Sequence, residues 1–269
     1  MGSPHRQGVD LLSNLPDLTR AEYVSMALQI LAPIGEQGVR IFCVETEGRL
    51  KPRSVGRGRA LKGTRWSGAA AYALSDLGSI PLMIDRIGEA VQKNVQRLVN
   101  PLVLHRLGQQ AELSNVRTLL WTTALDAIVM AGNRAEFCTR LGHLLGRENL
   151  IFPPNKNGIQ PRYTVGELVE GLYELRSLVA HGRQLSQRFL EVDGFLDTNG
   201  SAISPDYTVA QVLEETALFM LSRVLRLILT TECFSEIANE STWRRRLKGQ
   251  TQTLPLLHAS FAPDKAGRT

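Results

Sequence analysis

The sequence predicts an all-α protein built around an antiparallel helical bundle. Apolar residues recur with helical periodicity through the second half of the chain, and three of these predicted helices carry a start signal. The signal is a capping box, in which an Asn or Thr is followed three residues later by Glu or Gln. The three pairs are Asn133 with Glu136, Thr164 with Glu167, and Thr208 with Gln211. They predict helices over about residues 134–145, 165–181 and 209–230.

Two further helices are expected upstream of these three. Ser114 to Met130 has helical periodicity, and Gly132 is placed to end that helix because glycine adopts a left-handed backbone without strain. Ile80 to Arg106 predicts a long helix in which Pro101 marks a kink or break. Five helical segments that are joined mostly by short turns predict the antiparallel bundle.

The other segments predict less regular structure. Thr19 to Leu31 has the pattern of a helix, and Val39 to Val44 alternates weakly, as a strand does. Long loops are expected between Gly146 and Thr164 and between Gly182 and Tyr207, the second with short strand character around Phe189 to Phe195.

The predicted domain organisation therefore has three parts. A small, irregular N-terminal extension covers residues 1–79, and the helical bundle covers residues 80–235. A C-terminal basic helix or turn with a tail covers residues 236–269. A chain of 269 residues is long enough to bury a sizeable core.

The composition is that of an ordinary globular protein with a surplus of positive charge. Apolar residues make up 43% of the chain and charged residues 21%, and the net charge of +5 weakly favours polyanionic partners. No apolar run approaches the roughly 20 residues that a membrane span requires, and the N-terminus lacks the apolar core of a secretion signal. We therefore expect no membrane partner.

Cysteine and histidine residues do not indicate a metal site. Cys43, Cys138 and Cys233 lie far apart, which fits neither a zinc spacing nor a disulfide framework. This usage is typical of a reducing compartment, so a cytoplasmic location is expected. His105 and His143 have no second ligand at a zinc spacing and are expected to be structural. The sequence thus predicts neither a metal nor another cofactor.

Two basic clusters are candidates for contact with nucleic acid. The first, Arg49 to Arg65, carries seven Lys or Arg residues and no acidic residue. Its Arg57, Arg59 and Lys62 would clamp an RNA backbone, or else belong to a solvated, mobile loop. The second cluster, Trp243 to Lys248, either contacts nucleic acid or completes a helix, since cations are favourable near helix C-termini.

The most informative stretch of the chain is Tyr173 to Gly182, at the C-terminal end of a predicted helix. Arg176 carries a permanent charge and binds phosphate in a forked geometry. His181 exchanges protons near neutrality, and the negative end of the helix dipole favours its protonated form. With Ser177 between them, these side chains are the minimum needed to cleave a phosphodiester without a metal.

Helix geometry works against a joint action of this pair. Five residues along an ideal helix turn two side chains about 140° apart. We therefore expect the chain to leave the helix at His181, because Gly182 follows it, so that the imidazole turns toward Arg176 or faces an equivalent pair in a second copy. In the alternative, structural interpretation, Arg176 pairs with Glu170 or Asp126 at the margin of the apolar face. His181 then merely caps the last helical carbonyls.

The segment Leu172 to Gly182, LYELRSLVAHG, closely resembles the signature LYdlRSkivHG of Apea-like HEPN domains. Upstream, Trp121 to Ile128 resembles the ALEaLl helix of the same family, with Asp126 where Glu is usual. Phe137 to Leu145 resembles the short helix that follows it. The resemblance covers about residues 85–230, and the three elements occur in the family's order and spacing.

The resemblance implies a HEPN-type bundle with a metal-independent endoribonuclease site that homodimerisation completes. In such a site Arg176 would bind the scissile phosphate and Ser177 would assist it. His181 would act as general acid or base while the RNA 2′-hydroxyl attacks. Asp126 would orient His181 or Arg176, and Arg183 would contact the RNA.

A ribonuclease of the defence or toxin kind is therefore the function that the sequence favours. Its expected partners are RNA, a second copy of the chain, and a possible protein inhibitor or defence-system partner. The alternative is a non-catalytic HEPN module that binds RNA, nucleotide or a protein through the same groove. In a third interpretation, the bundle is structural and the Arg–His pair is incidental.

Overall fold

The computed structural model describes most of the predicted bundle and parts of the segments around it. The described residues are 20–31, 43–44, 50–51, 77–152, 160–191, 195–196, 202–204 and 208–249. Their helices are α1 (Arg20–Leu31), α2 (Ile80–Gln92), α3 (Gln96–Gln110), α4 (Ser114–Val129), α5 (Arg134–Leu145), α6 (Val165–Ala180), α7 (Gln187–Leu190), α8 (Val209–Thr230), α9 (Cys233–Ile237) and α10 (Glu240–Leu247). Short antiparallel pairs join β1 (Cys43–Val44) to β2 (Leu50–Lys51) and β3 (Phe195–Leu196) to β4 (Ala202–Ser204). The described part of the chain is predominantly helical, which confirms the all-α class and the helical bundle.

The central element of the bundle is α8, a helix of 22 residues. It packs against α1, α2, α3, α4, α5, α6, α7 and α9. Its side chains are buried without interruption from Val212 to Ser222, because neighbouring helices surround it on all sides. None of the described helices combines the length and the apolar character needed to span a bilayer.

The N-terminal helix α1 shares the core of the bundle. Met26, Ala27 and Ile30 are buried where α1 packs against α2 and α8. Glu22 also pairs with Arg106 of α3 at 2.9 Å. Within the described residues, α1 therefore belongs to the core of the bundle, although it lies in the predicted N-terminal extension.

The capping boxes at the starts of α6 and α8 form as predicted. At α6, Thr164 Oγ1 accepts from the Glu167 N–H at 3.3 Å, and the Glu167 carboxylate accepts from the Thr164 N–H at 2.7 Å. At α8, Thr208 and Gln211 make the same reciprocal pair, at 3.3 and 2.9 Å. Both helices begin directly after these threonines, as the sequence predicts.

The predicted capping box of α5 is half formed. Asn133 accepts from the Glu136 N–H at 3.0 Å. The Glu136 carboxylate, however, accepts from the N–H of Gly132 at 2.7 Å and not from that of Asn133. The predicted start of the helix is nevertheless confirmed, because the Asn133 side chain alone satisfies a donor of the first turn.

The predicted long helix is interrupted at Asn94, and the second of the two resulting helices, α3, continues through Pro101. α2 ends at Gln92 and α3 begins at Gln96, and Asn94 between them adopts a left-handed φ of 51°. Asn tolerates this conformation because its short polar side chain can bond locally. Pro101 is buried inside α3, where packing in the core offsets the loss of one backbone N–H. The prediction of one long helix over Ile80 to Arg106 is therefore wrong.

α4 ends before the glycine that was expected to end it. The helix ends at Val129, and Met130 takes the left-handed conformation with a φ of 54°. Arg140 of α5 donates to the carbonyls of Val129 and Met130, so side-chain hydrogen bonds replace those of a further helical turn. The prediction that Gly132 ends α4 is wrong, because contacts with another helix stop it earlier.

The segment after α6 is helical where a strand was expected. Phe189 is buried within α7, with 1% exposure, whereas β3 begins at Phe195. The strand character predicted around Phe189 to Phe195 is thus confirmed at its end and wrong at its start. Burial of the Phe189 ring, which the linear pattern does not show, accompanies the helical turn.

The C-terminal basic cluster completes a helix that is docked on the bundle. Trp243 and Leu247 of α10 are buried, and Trp243 Nε1 donates to the Ile128 carbonyl at 2.7 Å. Two of the arginines pair with nearby acidic residues: Arg244 with Glu240, and Arg246 with Glu236. These contacts favour the structural role of this cluster over contact with nucleic acid. The predicted boundary between residues 235 and 236 falls inside α9.

Candidate functional site on helix α6

Helix α6 carries the candidate residues and is anchored by its apolar face. Val165, Val169, Leu172 and Leu175 are buried, with the spacing of one helix face. This face packs α6 against α4, α5 and α8. Arg176 directly follows the last of these residues, so it lies at the margin of the apolar face, as predicted.

The guanidinium of Arg176 is paired with a carboxylate from α4. Its Nη2 donates to Oδ2 of Asp126 at 2.8 Å, and the two side chains are 27% and 21% exposed. The other partner that the sequence suggested, Glu170, pairs instead with Arg134 of α5 at 2.7 Å. The pairing of Arg176 with Asp126 is therefore confirmed, and the Asp126 carboxylate contacts Arg176.

Both members of this pair have hydrogen-bonding capacity that they do not use. Oδ1 of Asp126 and Nε of Arg176 are buried and have no partner in the described part of the chain. A guanidinium and a carboxylate can form two parallel hydrogen bonds, but this pair forms one. Burial raises the pKa of Asp126, and the charge of Arg176 partly opposes that rise. The guanidinium is thus held by one hydrogen bond to Asp126 and keeps an N–H donor, at Nε, that has no partner among the described residues.

His181 lies at the C-terminal end of α6 and keeps a nearly helical backbone. Its φ and ψ are −94° and 8°, and its N–H donates to the Ser177 carbonyl at 3.1 Å. The helix ends at Ala180 and the chain leaves it at His181, as predicted, with Gly182 next at a φ of 61°. Because the φ of His181 is still close to the helical value, its side chain lies about 140° around the helix axis from Arg176. The exit from the helix therefore does not turn the imidazole toward Arg176.

The end of α6 is a Schellman motif. Gly182 N–H donates to the Val179 carbonyl at 3.1 Å, and Arg183 N–H donates to the Leu178 carbonyl at 2.9 Å. These backbone bonds satisfy the carbonyls of Leu178 and Val179 without the help of a side chain. The suggestion that His181 caps them is therefore wrong. Its imidazole is exposed and has no hydrogen bond or ion pair with other described residues.

Arg176 and His181 lie in different surroundings within one chain. The guanidinium is half-buried against α4, whereas the imidazole faces solvent. Their backbone positions are separated by about 7.5 Å along the helix axis. Ser177, which lies between the two residues in the sequence, is half-buried, and its backbone carbonyl accepts a hydrogen bond from the His181 N–H. The structure thus joins Arg176 to Asp126 and does not join either of them to His181.

The other predicted RNA-binding residues divide into two groups. Arg183 is exposed just beyond the end of α6. Arg57, Arg59 and Lys62 lie outside the described residues. A contact that the sequence did not predict is the ion pair of Arg188 with Glu174, which ties α7 back to α6. No local pattern indicates this pair, because the turn at Gly182 separates its members.

The histidines at positions 105 and 143 are structural, as predicted. His105 is fully buried in α3, where Nε2 lies 3.2 Å from the Ser222 hydroxyl, and burial lowers its pKa to about 4. Nδ1 of His143 donates to the Leu247 carbonyl at 3.0 Å. Within the described ranges, no group of three His, Cys, Asp or Glu residues is arranged to hold a metal ion.

Comparison of the chain with protein-family models, curated proteins and solved structures gives no match. The resemblance to Apea-like HEPN domains therefore remains a prediction, carried by the residues of α4, α5 and α6. Its strongest part is the segment from Leu172 to Gly182. The structure defines an all-α protein with a half-buried Arg–Asp pair and an exposed histidine on α6.

Proposed function

We propose that this chain is a metal-independent endoribonuclease of the HEPN type, with Arg176 and His181 as its catalytic residues. The observation that supports it is the arrangement along α6. A guanidinium is held by a single carboxylate hydrogen bond, and an exposed imidazole that has no partner among the described residues follows at the end of the same helix. Asp126 is then the residue that orients Arg176, and Ser177 is the polar neighbour of both.

The reaction is a transesterification within the RNA. The 2′-hydroxyl loses its proton as its oxygen bonds to phosphorus, the bond from phosphorus to the 5′-oxygen breaks, and the 5′-oxygen takes up a proton, so that no net proton is consumed. His181 transfers a proton as general base or general acid, which is worth about 10²–10⁴-fold in rate. Arg176 stabilises the charge that develops on the phosphate oxygens. The products are a 2′,3′-cyclic phosphate and a free 5′-hydroxyl, without a metal ion or added water.

The site that acts on one phosphate takes Arg176 from one copy of the chain and His181 from a second copy. In a single chain the two side chains face different surroundings, so neither can complete the site alone. The exposed end of α6 is available for a contact between two copies related by a twofold axis. In such a contact the same patch serves both chains, so two equivalent sites form.

The test is cleavage of labelled RNA by the purified protein in the presence of EDTA. We expect fragments that end in cyclic phosphate, and loss of about 10²-fold or more in rate for His181→Ala. Arg176→Lys keeps the charge but loses the forked geometry, so it should also be impaired. The matched controls are His143→Ala and Arg134→Lys, which make the same changes on α5 and should cleave at the wild-type rate.

Two results would count against the nuclease. Cleavage that EDTA abolishes would indicate a metal-dependent reaction and would exclude this mechanism. Equal loss of activity in the α5 controls and in the α6 variants, together with a lower melting temperature, would indicate that the changes act through folding.

The second candidate function is a non-catalytic module that binds RNA through the same face of α6. The observation that favours it is that Arg176 already pairs with Asp126, away from His181. Binding requires no joint action of the two side chains. This candidate predicts RNA binding that weakens in Arg176→Ala, with intact RNA recovered from the wild-type protein after prolonged incubation.

A further inference from the structure

The guanidinium of Arg176 contacts an aromatic ring in addition to the carboxylate of Asp126. The Arg176 guanidinium carbon lies 5.6 Å from the centre of the Tyr173 ring, one turn earlier on α6. The Tyr173 ring in turn lies 5.3 Å from the ring of Phe137, with an angle of 53° between the planes. Phe137 lies on α5, is 1% exposed and belongs to the core of the bundle. The guanidinium is therefore linked to the core through two rings.

The ion pair alone does not fix the guanidinium. A single hydrogen bond from Nη2 to Asp126 fixes one nitrogen but only partly defines the orientation of the guanidinium plane, because Nε has no partner within the described residues. A ring beneath the guanidinium restricts this orientation further, because the positive charge is attracted to the face of the ring. The Asp126 carboxylate thus fixes the position of Nη2, and the Tyr173 ring limits how the guanidinium plane can tilt.

We infer that Tyr173 is a positioning residue, which holds the guanidinium of Arg176 in the orientation in which it meets the phosphate. The inference rests on the proposed function for its catalytic consequence, but the contact itself concerns Arg176 and Asp126 and can be tested without RNA. The ring carries this role, since it is the ring that faces the guanidinium and packs on Phe137.

The substitutions that isolate the ring are Tyr173→Phe and Tyr173→Leu. The first keeps an aromatic face and removes the hydroxyl, and the second keeps an apolar side chain and removes the face. The matched control is Tyr163→Leu, which removes a half-buried tyrosine whose ring lies 6.4 Å from Phe152 and belongs to another part of the fold. A general loss of packing affects both leucine variants alike.

The first measurement is the titration of the Asp126 carboxyl carbon by NMR. Arg176 partly opposes the rise in the pKa of Asp126 that burial causes, so a guanidinium that is no longer held opposes it less. We expect a higher Asp126 pKa in Tyr173→Leu than in the wild type, and no change in Tyr173→Phe or Tyr163→Leu. An unchanged Asp126 pKa in a folded Tyr173→Leu would overturn the positioning role.

The second measurement is the steady-state kinetics of RNA cleavage. Tyr173→Leu should lower kcat about three- to tenfold with little change in KM, and Tyr173→Phe should restore it, because orientation of Arg176 matters most as charge develops on the phosphate. Equal kcat in the wild type and Tyr173→Leu would overturn the inference. If the wild-type protein cleaves no RNA, the proposed nuclease fails, while the Asp126 titration still decides whether Tyr173 positions Arg176.

Discussion

The C-terminal ends of α4 and α6 carry the two halves of the candidate site and are built in opposite ways. At the end of α4, next to Asp126, other helices satisfy the free carbonyls. Trp243 of α10 donates to Ile128, and Arg140 of α5 donates to Val129. The end of α4 is therefore fixed by side chains that are distant in the sequence.

The end of α6, next to His181, satisfies its own carbonyls through the Schellman motif. A Cβ added at Gly182 would meet no heavy atom of the described residues within 4 Å apart from its own chain neighbours, so it would not be crowded by the rest of the described fold. The contrast teaches that the fold fixes the Arg176–Asp126 half of the site, while the His181 half is exposed and available to a partner.

The largest loss of stability is expected from a change at the contact between α10 and the end of α4. Trp243→Ala removes a fully buried indole and leaves the Ile128 carbonyl without its donor, which should lower the free energy of unfolding by about 3–5 kcal/mol. Chemical denaturation measures this loss. Trp243→Phe keeps most of the packing and should lose about 1–3 kcal/mol. A loss below 1 kcal/mol in Trp243→Ala would show that α10 does not hold the end of α4.

A slightly smaller effect is expected from pH, through a histidine that also contacts α4. The His105 carbonyl accepts from Trp121 Nε1 of α4 at 3.2 Å, and burial lowers the pKa of its imidazole from 6.5 to about 4. Between pH 6.5 and pH 4 the unfolded chain therefore binds a proton at His105 more readily than the folded chain does. The contribution of the neutral, buried imidazole to the free energy of unfolding is fully present above about pH 6.5. It is lost as the pH falls toward 4, by about 3 kcal/mol.

The pH effect is measured as the difference between two proteins. We expect the free energy of unfolding of the wild type to fall more steeply from pH 7 to pH 4 than that of His105→Gln, because other titrating groups are common to both. Parallel curves for the two proteins would contradict the assignment of this acid sensitivity to the buried imidazole of His105.

The smallest effect is expected at the end of α6. Gly182→Ala forces an alanine into a left-handed conformation with a φ of 61°, which costs about 1 kcal/mol. Since no heavy atom of the other described residues lies within 4 Å of the added Cβ, its chain neighbours apart, the cost is one of backbone conformation. Gly182→Asn should lose less, because Asn tolerates this region. A loss of several kcal/mol in Gly182→Ala would show that the end of α6 is packed rather than free.

The same contrast explains what the sequence predicts well. The starts of α5, α6 and α8 depend on a side chain and a backbone N–H three residues apart, so a short pattern indicates them. The left-handed Gly182 after α6 is a local feature too, and the sequence predicts it. The position of Arg176 at the margin of the apolar face follows from helical periodicity alone.

Contacts between helices account for the errors. Gly132 looks like the end of α4, but Arg140, from the next helix, ends it at Val129. Periodicity also leaves Glu170 and Asp126 as equal partners of Arg176, because the choice depends on how α4 and α5 pack against α6. No local sequence pattern shows which of the two carboxylates pairs with Arg176.

The most direct test of the account is complementation between two inactive variants. Arg176→Ala and His181→Ala are purified separately, then mixed, dissociated and reassociated, and assayed for RNA cleavage with EDTA. If one phosphate takes Arg176 from one copy and His181 from the other, each variant alone is inactive and the mixture recovers part of the wild-type rate. A mixture that contains the mixed dimer and still cleaves no RNA would contradict a site shared between two copies.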